Sequence, residues 1–241
     1  MTQKKILISG GDSRFCFFLK KHMSNKNIFY FGKKKLNILN YENLTKILVK
    51  NKIKIFIHIA ALSRPMSIHE TKIDLSIQTN IIGTANVVRA CKKLNIKLIY
   101  FSTNYVYPCT RGNYKETDLL LPINNYAWSK LGGESAVHML KDSLILRLSI
   151  TDYPFTHKQA FKNVYSSFLY NKDFAKIFSH LLDEKGVLNI GGKRQSIYNF
   201  AKKDNPNIKA IRNNKKINFP SDSSLNIEKF KKILKKKLIK I

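Results

Sequence analysis

Residues 100–134 read YFSTNYVYPCTRGNYKETDLLLPINNYAWSKLGGE, and the fold turns on how this stretch is understood. The apolar run entering it, Leu98-Ile99-Tyr100-Phe101, has the character of a strand buried on both faces of a sheet. Ser102, Thr103 and Asn104 follow at the strand's end. A turn-rich loop containing Pro108, Gly112, Asn113 and Pro122 leads to Asn124-Asn125, where a helix is expected to run to about residue 140. Tyr126 and Lys130 lie one turn apart on one face of that helix. A phenol has a free pKa of about 10, and an ammonium one turn away favours the phenolate. The Thr103 hydroxyl could complete a substrate clamp. Spacing alone is a weak signal, because 11 Tyr and 44 Lys plus Arg in 241 residues supply about two such pairs by chance. Tyr30/Lys34, Tyr198/Lys202 and Tyr107/Arg111 fit as well. The Ser-Thr strand end upstream is what singles out Tyr126.

Outward from this stretch, apolar runs alternate with helical periodicity. Residues 4–9 (KKILIS) end in Gly10-Gly11, and a helix is expected over 14–23. This is the strand, glycine turn and helix start of a dinucleotide-binding unit, although Ser13 and Cys16 stand at the second and third glycine positions. Residues 28–31 form a second strand that ends in Gly32-Lys33-Lys34-Lys35. No acid is present there to hold a ribose 2′-hydroxyl, so the lysines favour NADP(H) over NAD(H); a solvated lysine turn is the plain alternative. A helix over 44–50 leads to a third strand over 54–59 and the small pair Ala60-Ala61. A long helix is expected over about 73–94, with Asn80 inside it either bridging neighbours or reaching active-site water. Residues 144–148 form another buried strand.

This alternation predicts an α/β fold, a Rossmann-type doubly wound parallel sheet with right-handed crossovers. Ligands then sit beyond the carboxyl ends of the strands, where Gly10, Ala60, Ala61, Thr103 and Tyr126 converge. Residues 1–150 are expected to form the dinucleotide-binding domain. Residues 151–241 are expected to form a small C-terminal α/β substrate-binding lobe interleaved with it, with helices over 174–182 and from about 196. A basic amphipathic helix is expected over 227–241, packed on the surface or lying on a membrane.

Three cysteines and six histidines show no metal-ligand spacing, and no metal site is expected. No apolar run approaches the roughly 20 residues of a membrane span, and no signal-peptide core opens the chain, so a cytoplasmic location is expected. The net charge of +29 suits phosphorylated ligands. The plain alternative is codon bias, since Lys, Ile and Asn are abundant together; the lysines are dispersed and not gathered with interleaved aromatics, so no nucleic-acid partner is expected.

Within residues 102–134, Ser102-Thr103-Asn104-Tyr105-Val106-Tyr107, Gly112-x-Tyr114-x-Glu116-x-Asp118 and Pro122-x-Asn124-x-Tyr126-x-x-Ser129-Lys130-x-x-Gly133-Glu134 resemble the extended short-chain dehydrogenase/reductases, in particular the dTDP-4-dehydrorhamnose reductase type. His58-Ile59-Ala60-Ala61, Asn80-x-x-Gly83-Thr84 and residues 220–226 (PSDSSLN) extend the resemblance over nearly the whole chain. It implies NADPH-dependent reduction of the 4-keto group of a nucleotide-activated deoxysugar, for cell-surface polysaccharide synthesis. Tyr126 would then be the general acid, Lys130 would lower its pKa and hold the nicotinamide ribose, and Thr103 would polarise the carbonyl. Asn104 and Tyr105 would touch the sugar, and Gly10, Gly11, Asp12, Arg14, Phe15, Ala60 and Ala61 would line the cofactor. The sequence departs from the reductases in its glycine turn, in Asn104 where they usually carry Asp, and in a short segment after Ile150. An NAD-retaining epimerase or dehydratase and a non-catalytic NADP-binding regulatory subunit stay open as alternatives, and a homodimer is compatible with the sequence.

Overall fold

The computed structural model describes residues 4–214 and 219–239. Six strands form one parallel sheet: β1 (Ile6–Ser9), β2 (Ile28–Phe31), β3 (Ile55–His58), β4 (Lys97–Thr103), β5 (Ser143–Leu148) and β6 (Gly186–Ile190). Their spatial order is β6-β5-β4-β3-β1-β2. The order reverses between β1 and β3, which makes the crevice beyond their carboxyl ends the switch point where such sheets take ligands. Ser9 pairs with His58 there, and Thr103 pairs with Leu148 on the far side of β4.

Side chains alternate across the sheet as a pleated strand requires. Ile6, Ile8, Ile57, Ile99, Phe101, Leu144 and Leu146 enter one core with α1 (Arg14–Leu19). Leu7, Phe56, Leu98, Tyr100 and Ile145 enter the other, under α2 (Tyr41–Lys50) and α3 (Gly83–Leu94). Each fully buried aliphatic side chain contributes about 1.5–3 kcal/mol, which is why both-face apolar runs became strands.

The first helix is shorter than the expected span of 14–23. It tightens into turns after Leu19 because Met23 folds back into the core, its carbonyl accepting from the Tyr30 hydroxyl at 2.6 Å. The long helix expected over 73–94 is three segments, Ile73–Ser76, a π-helix at Ile77–Ile82, and α3. The wide turn carries Asn80 inward, where it bridges: its Oδ1 accepts from Leu62 N at 2.8 Å, and its Nδ2 donates to Leu62 O at 2.9 Å and Ser129 Oγ at 2.8 Å. The loop after β3 is thereby tied to α4 (Asn125–His138). Gly133 lets α4 lie this close, since a Cβ there would stand 2.6 Å from Asn80 O and 2.7 Å from the Tyr100 hydroxyl.

After β5 the chain builds a third cluster from Phe155, Ala160, Val164, Ile197, Phe200, Ala201 and Ile208. Short strand pairs surround it, Gln159–Phe161 with Lys209–Ile211 and Tyr165–Ser166 with Gln195–Ser196. Two helices from this half return to the first core, α5 (Asn171–Ile177) through Phe174 and α6 (Glu228–Lys236) through Phe230 and Leu234. The last helix, expected over 227–241, is shorter and ends at Lys236; residues 240 and 241 lie outside those described. Among the described residues, no helix is long and apolar enough to cross a membrane.

Candidate active site

The turn after β1 and the loop after β3 are pressed together. Gly10 has φ +70°, and a Cβ on it would stand 2.8 Å from Ala60 N, so a side chain there is excluded by both conformation and space. Ser9 Oγ accepts from Ile59 N and Ala60 N, both at 3.2 Å, which leaves its proton for His58 Nδ1 at 2.9 Å. Burial, with Lys130 adding to it, pushes the His58 pKa down to about 3 and keeps the ring neutral. Its Nε2 then donates to Thr84 Oγ1 at 3.1 Å.

The residues expected around a cofactor divide in two. Gly10, Gly11, Asp12, Ala60 and Ala61 lie at the two loops, and Gly11 is backed directly against Phe31 N. Ser13 replaces a glycine without strain: with φ −70° it caps α1, its Oγ accepting from Cys16 N at 3.3 Å. Phe15 turns its ring into the core, 5.2 Å from the Phe101 centroid and 5.4 Å from Phe174, so only its main chain remains at the turn. Asp12 packs its carboxylate over Gly32 at the end of β2, in space that any Gly32 side chain would fill. Although β2 itself carries no acid, the turn thus places one beside its end.

On the other side of the crevice, β4 delivers Thr103 and α4 delivers Tyr126 and Lys130. The helix starts at Tyr126's doorstep because Asn124 caps it, Oδ1 accepting from Ala127 N at 2.9 Å. Burial pushes the Tyr126 phenol up to about 12, against a hydrogen bond with the Thr103 hydroxyl and the charge of Arg64. The sequence assigned that lowering to Lys130; here Lys130 Nζ lies 4.1 Å over the Tyr100 ring instead. Burial pulls the Lys130 pKa down to about 7, with Glu134 opposing. Tyr105 is half-buried and shares the field of Arg64 and Tyr126. Asn104, expected at the substrate, is buried and donates Nδ2 to Ser223 O at 3.0 Å, which ties the strand end to the C-terminal segment.

Three neighbours escaped the sequence. Arg64, in the loop after β3, pairs with Asp152 just beyond β5 at 2.8 Å. His69 is buried with its ring centroid 5.1 Å from Tyr126 and its Nδ1 2.7 Å from Ser76 Oγ. An arginine four residues beyond Ala60, at the ligand edge of the sheet, was the available signal for Arg64. Among the described residues, no group of three His, Cys, Asp or Glu side chains could hold a metal ion.

The buried ammonium makes stability depend on pH. Between pH about 7 and the model-compound value of 10.5, Lys130 is neutral when folded and protonated when unfolded. The unfolded chain then binds more protons, so stability rises with pH across that window. Lys97 shifts in the same direction. The melting temperature is expected to climb from pH 7 to 9, and Lys130→Met to climb measurably less; identical slopes in the two proteins would show that Lys130 is solvated.

The chain matches the family described as the RmlD substrate binding domain over residues 4–190. Among curated proteins, methionine adenosyltransferase 2 subunit beta of Pongo abelii is 31% identical over 118 residues, covering 48% of this chain and 34% of that protein. The chain therefore spans about a third of the length of such relatives. Among solved structures, a hypothetical dTDP-4-dehydrorhamnose reductase from Sulfolobus tokodaii is 26% identical with a TM-score of 0.81, covering 95% of this chain and 94% of the other. The dTDP-4-dehydrorhamnose reductase of Bacillus anthracis in complex with NADP is 22% identical with a TM-score of 0.85, covering 100% and 94%, and shares the fold. With the parallel sheet and the Gly10 turn in place, the match over residues 4–190 identifies this chain as a member of the RmlD substrate binding domain family, within the extended short-chain dehydrogenase/reductases.

Proposed function

We propose that the protein reduces the keto group of a nucleotide-activated deoxysugar with a nicotinamide cofactor, dTDP-4-dehydrorhamnose being the substrate class its structural neighbours suggest. The observation that carries this reading is the meeting of two elements at the sheet edge, with Thr103 at the end of β4 and Tyr126 and Lys130 one turn apart on α4. Burial raises the pKa of Tyr126 and favours the protonated phenol. That phenol is a sufficient acid for a developing alkoxide, which is a stronger base than a phenolate.

A dinucleotide would lie along the crevice whose two walls approach at Gly10 and Ala60, where no side chain intrudes. Gly10, Gly11, Asp12, Ala60 and Ala61 would line it, with the main chain of Phe15 and the side chain of Arg14, and Lys130 would hold the nicotinamide ribose. A bound reduced nicotinamide would supply the hydride. The chain's own part is to hold the sugar carbonyl: the Thr103 hydroxyl polarises its oxygen, and Tyr126 donates the proton. Tyr105 and Asn104 flank this position, Asn104 by fixing the strand end and Tyr105 by its ring. The test is oxidation of NADPH on addition of a dTDP-4-keto-6-deoxy sugar, followed by absorbance; cofactor bound without oxidation would defeat the reading.

The second reading, a subunit that binds a dinucleotide without turnover, draws on the 31% identity to a protein named as a subunit and on Ser13 and Cys16 in the turn. The same assay separates the two.

For the cofactor, we infer a preference for NADP(H), supported by exposed Lys33, Lys34 and Lys35 after β2. Asp12, lying over Gly32, opposes it. Asp12→Asn is therefore expected to raise the ratio of NADPH to NADH affinity by about tenfold, the worth of one charge-assisted contact. An unchanged ratio in titrations of both cofactors would place Asp12 away from the ribose.

A further inference from the structure

Asp152 is 7% exposed, and one of its oxygens, Oδ2, receives two guanidiniums. Arg14 reaches it from the turn after β1, and Arg64 reaches it at 2.8 Å from the loop after β3. The other oxygen accepts from Asn171 Nδ2 at 2.9 Å. Three separate parts of the chain thus meet on one carboxylate, and two cations on one anion leave an excess positive charge. The arginine side chains are 65% and 55% exposed, so much of each five-donor fork is open to solvent.

An ion pair that only fastened the loops would need one arginine, and exposed pairs contribute little to stability. The second guanidinium is better explained by what the two present outward, a pair of planar donor sets matched to phosphate oxygens. The position agrees: Arg14 stands at the Gly10 turn, and Arg64 is near enough for its charge to act on the hydroxyls of Tyr105 and Tyr126. Asn171, also 7% exposed, holds Asp152 through its Nδ2, and its own Oδ1 has no hydrogen-bond partner among the described residues.

We propose that Arg14 and Arg64, set by Asp152, clamp a diphosphate. The proposal rests on the reading that the crevice takes nucleotides. Two ligands of that reading carry a diphosphate joined to sugars, the dinucleotide and the nucleotide-linked sugar.

Calorimetric titration of wild type, Arg64→Gln and Arg64→Lys with NADPH and with dTDP tests it. Arg64→Gln is expected to bind at least one of them ten- to hundredfold more weakly, the worth of a charged hydrogen bond. Arg64→Lys should fall between, since it keeps the charge and loses the fork. Because Arg64 is more than half exposed, the unfolding temperature should not move; Arg14→Gln serves as the second variant. Loss confined to NADPH assigns the clamp to the dinucleotide, loss confined to dTDP assigns it to the sugar nucleotide, and either supports it. Wild-type affinity for both ligands in Arg64→Gln and Arg14→Gln alike would overturn the clamp alone. If wild type bound neither ligand, the clamp and the nucleotide reading would fall together.

Discussion

Tyr126→Phe is expected to lower kcat for reduction of a nucleotide-linked keto sugar by two or more orders of magnitude, the usual worth of a positioned general acid. The substitution removes one oxygen and keeps the ring, which packs against His69 at 5.1 Å, so the helix and the cofactor crevice should be undisturbed. Thr103 remains, and one donor to the carbonyl oxygen sustains some residual rate. Because the lost interaction forms as charge develops on that oxygen, kcat and kcat/KM should fall together while KM holds. Cofactor titration should give wild-type affinity. Stopped-flow or steady-state absorbance of the reduced nicotinamide reads the rate directly, and turnover within a few-fold of wild type would remove Tyr126 from the chemistry.

How far such roles were legible in the sequence differs from residue to residue. The sheet was readable because strands buried on both faces leave apolar runs, and because Gly10 and Ala60-Ala61 mark ends where two backbones must approach. Tyr126 was readable only through Thr103, since tyrosine and lysine recur at helical spacing by chance. The π-helix was not readable. A change of hydrogen-bond register from four to five residues needs no special composition, and Asn80 fits either geometry. Asn104 was expected at the substrate because a small polar residue at a strand end suits that task; nothing in the sequence pointed to its partner, the Ser223 carbonyl, 119 residues away. Arg64 and Asp152 are 88 residues apart, and only the closed sheet brings them together. Asp12 belongs to the same class, since the acid missing from β2 comes from a neighbouring turn.

The largest expected loss of stability comes from Glu134, one turn beyond Lys130 on the same helix. Its side chain is fully buried and receives Arg147 Nη2 at 2.6 Å and Nε at 3.1 Å on one oxygen, and the Ser102 hydroxyl at 2.5 Å on the other. Burial alone would push this carboxyl up; hydrogen bonds from His138, Arg147 and Ser102 outweigh it and hold the pKa below its usual range. Arg147 continues inward to the Tyr107 hydroxyl at 2.7 Å and Glu116 O at 3.0 Å. Glu134→Ala would leave that guanidinium buried without its counter-charge, a situation that costs about 3–5 kcal/mol, a large part of a typical domain's stability. Urea titration should show the midpoint falling steeply. Replacing both partners with apolar residues of similar volume, Glu134→Leu with Arg147→Met, should recover most of it, because no charge is then stranded. A single mutant as stable as wild type would mean that water reaches Arg147. Ser102 immediately precedes Thr103, and Glu134 shares its helix with Tyr126, so the ion pair also sets the separation of the two hydroxyls. The double mutant should therefore fold and yet reduce more slowly than wild type, which separates holding the fold together from holding the catalytic geometry.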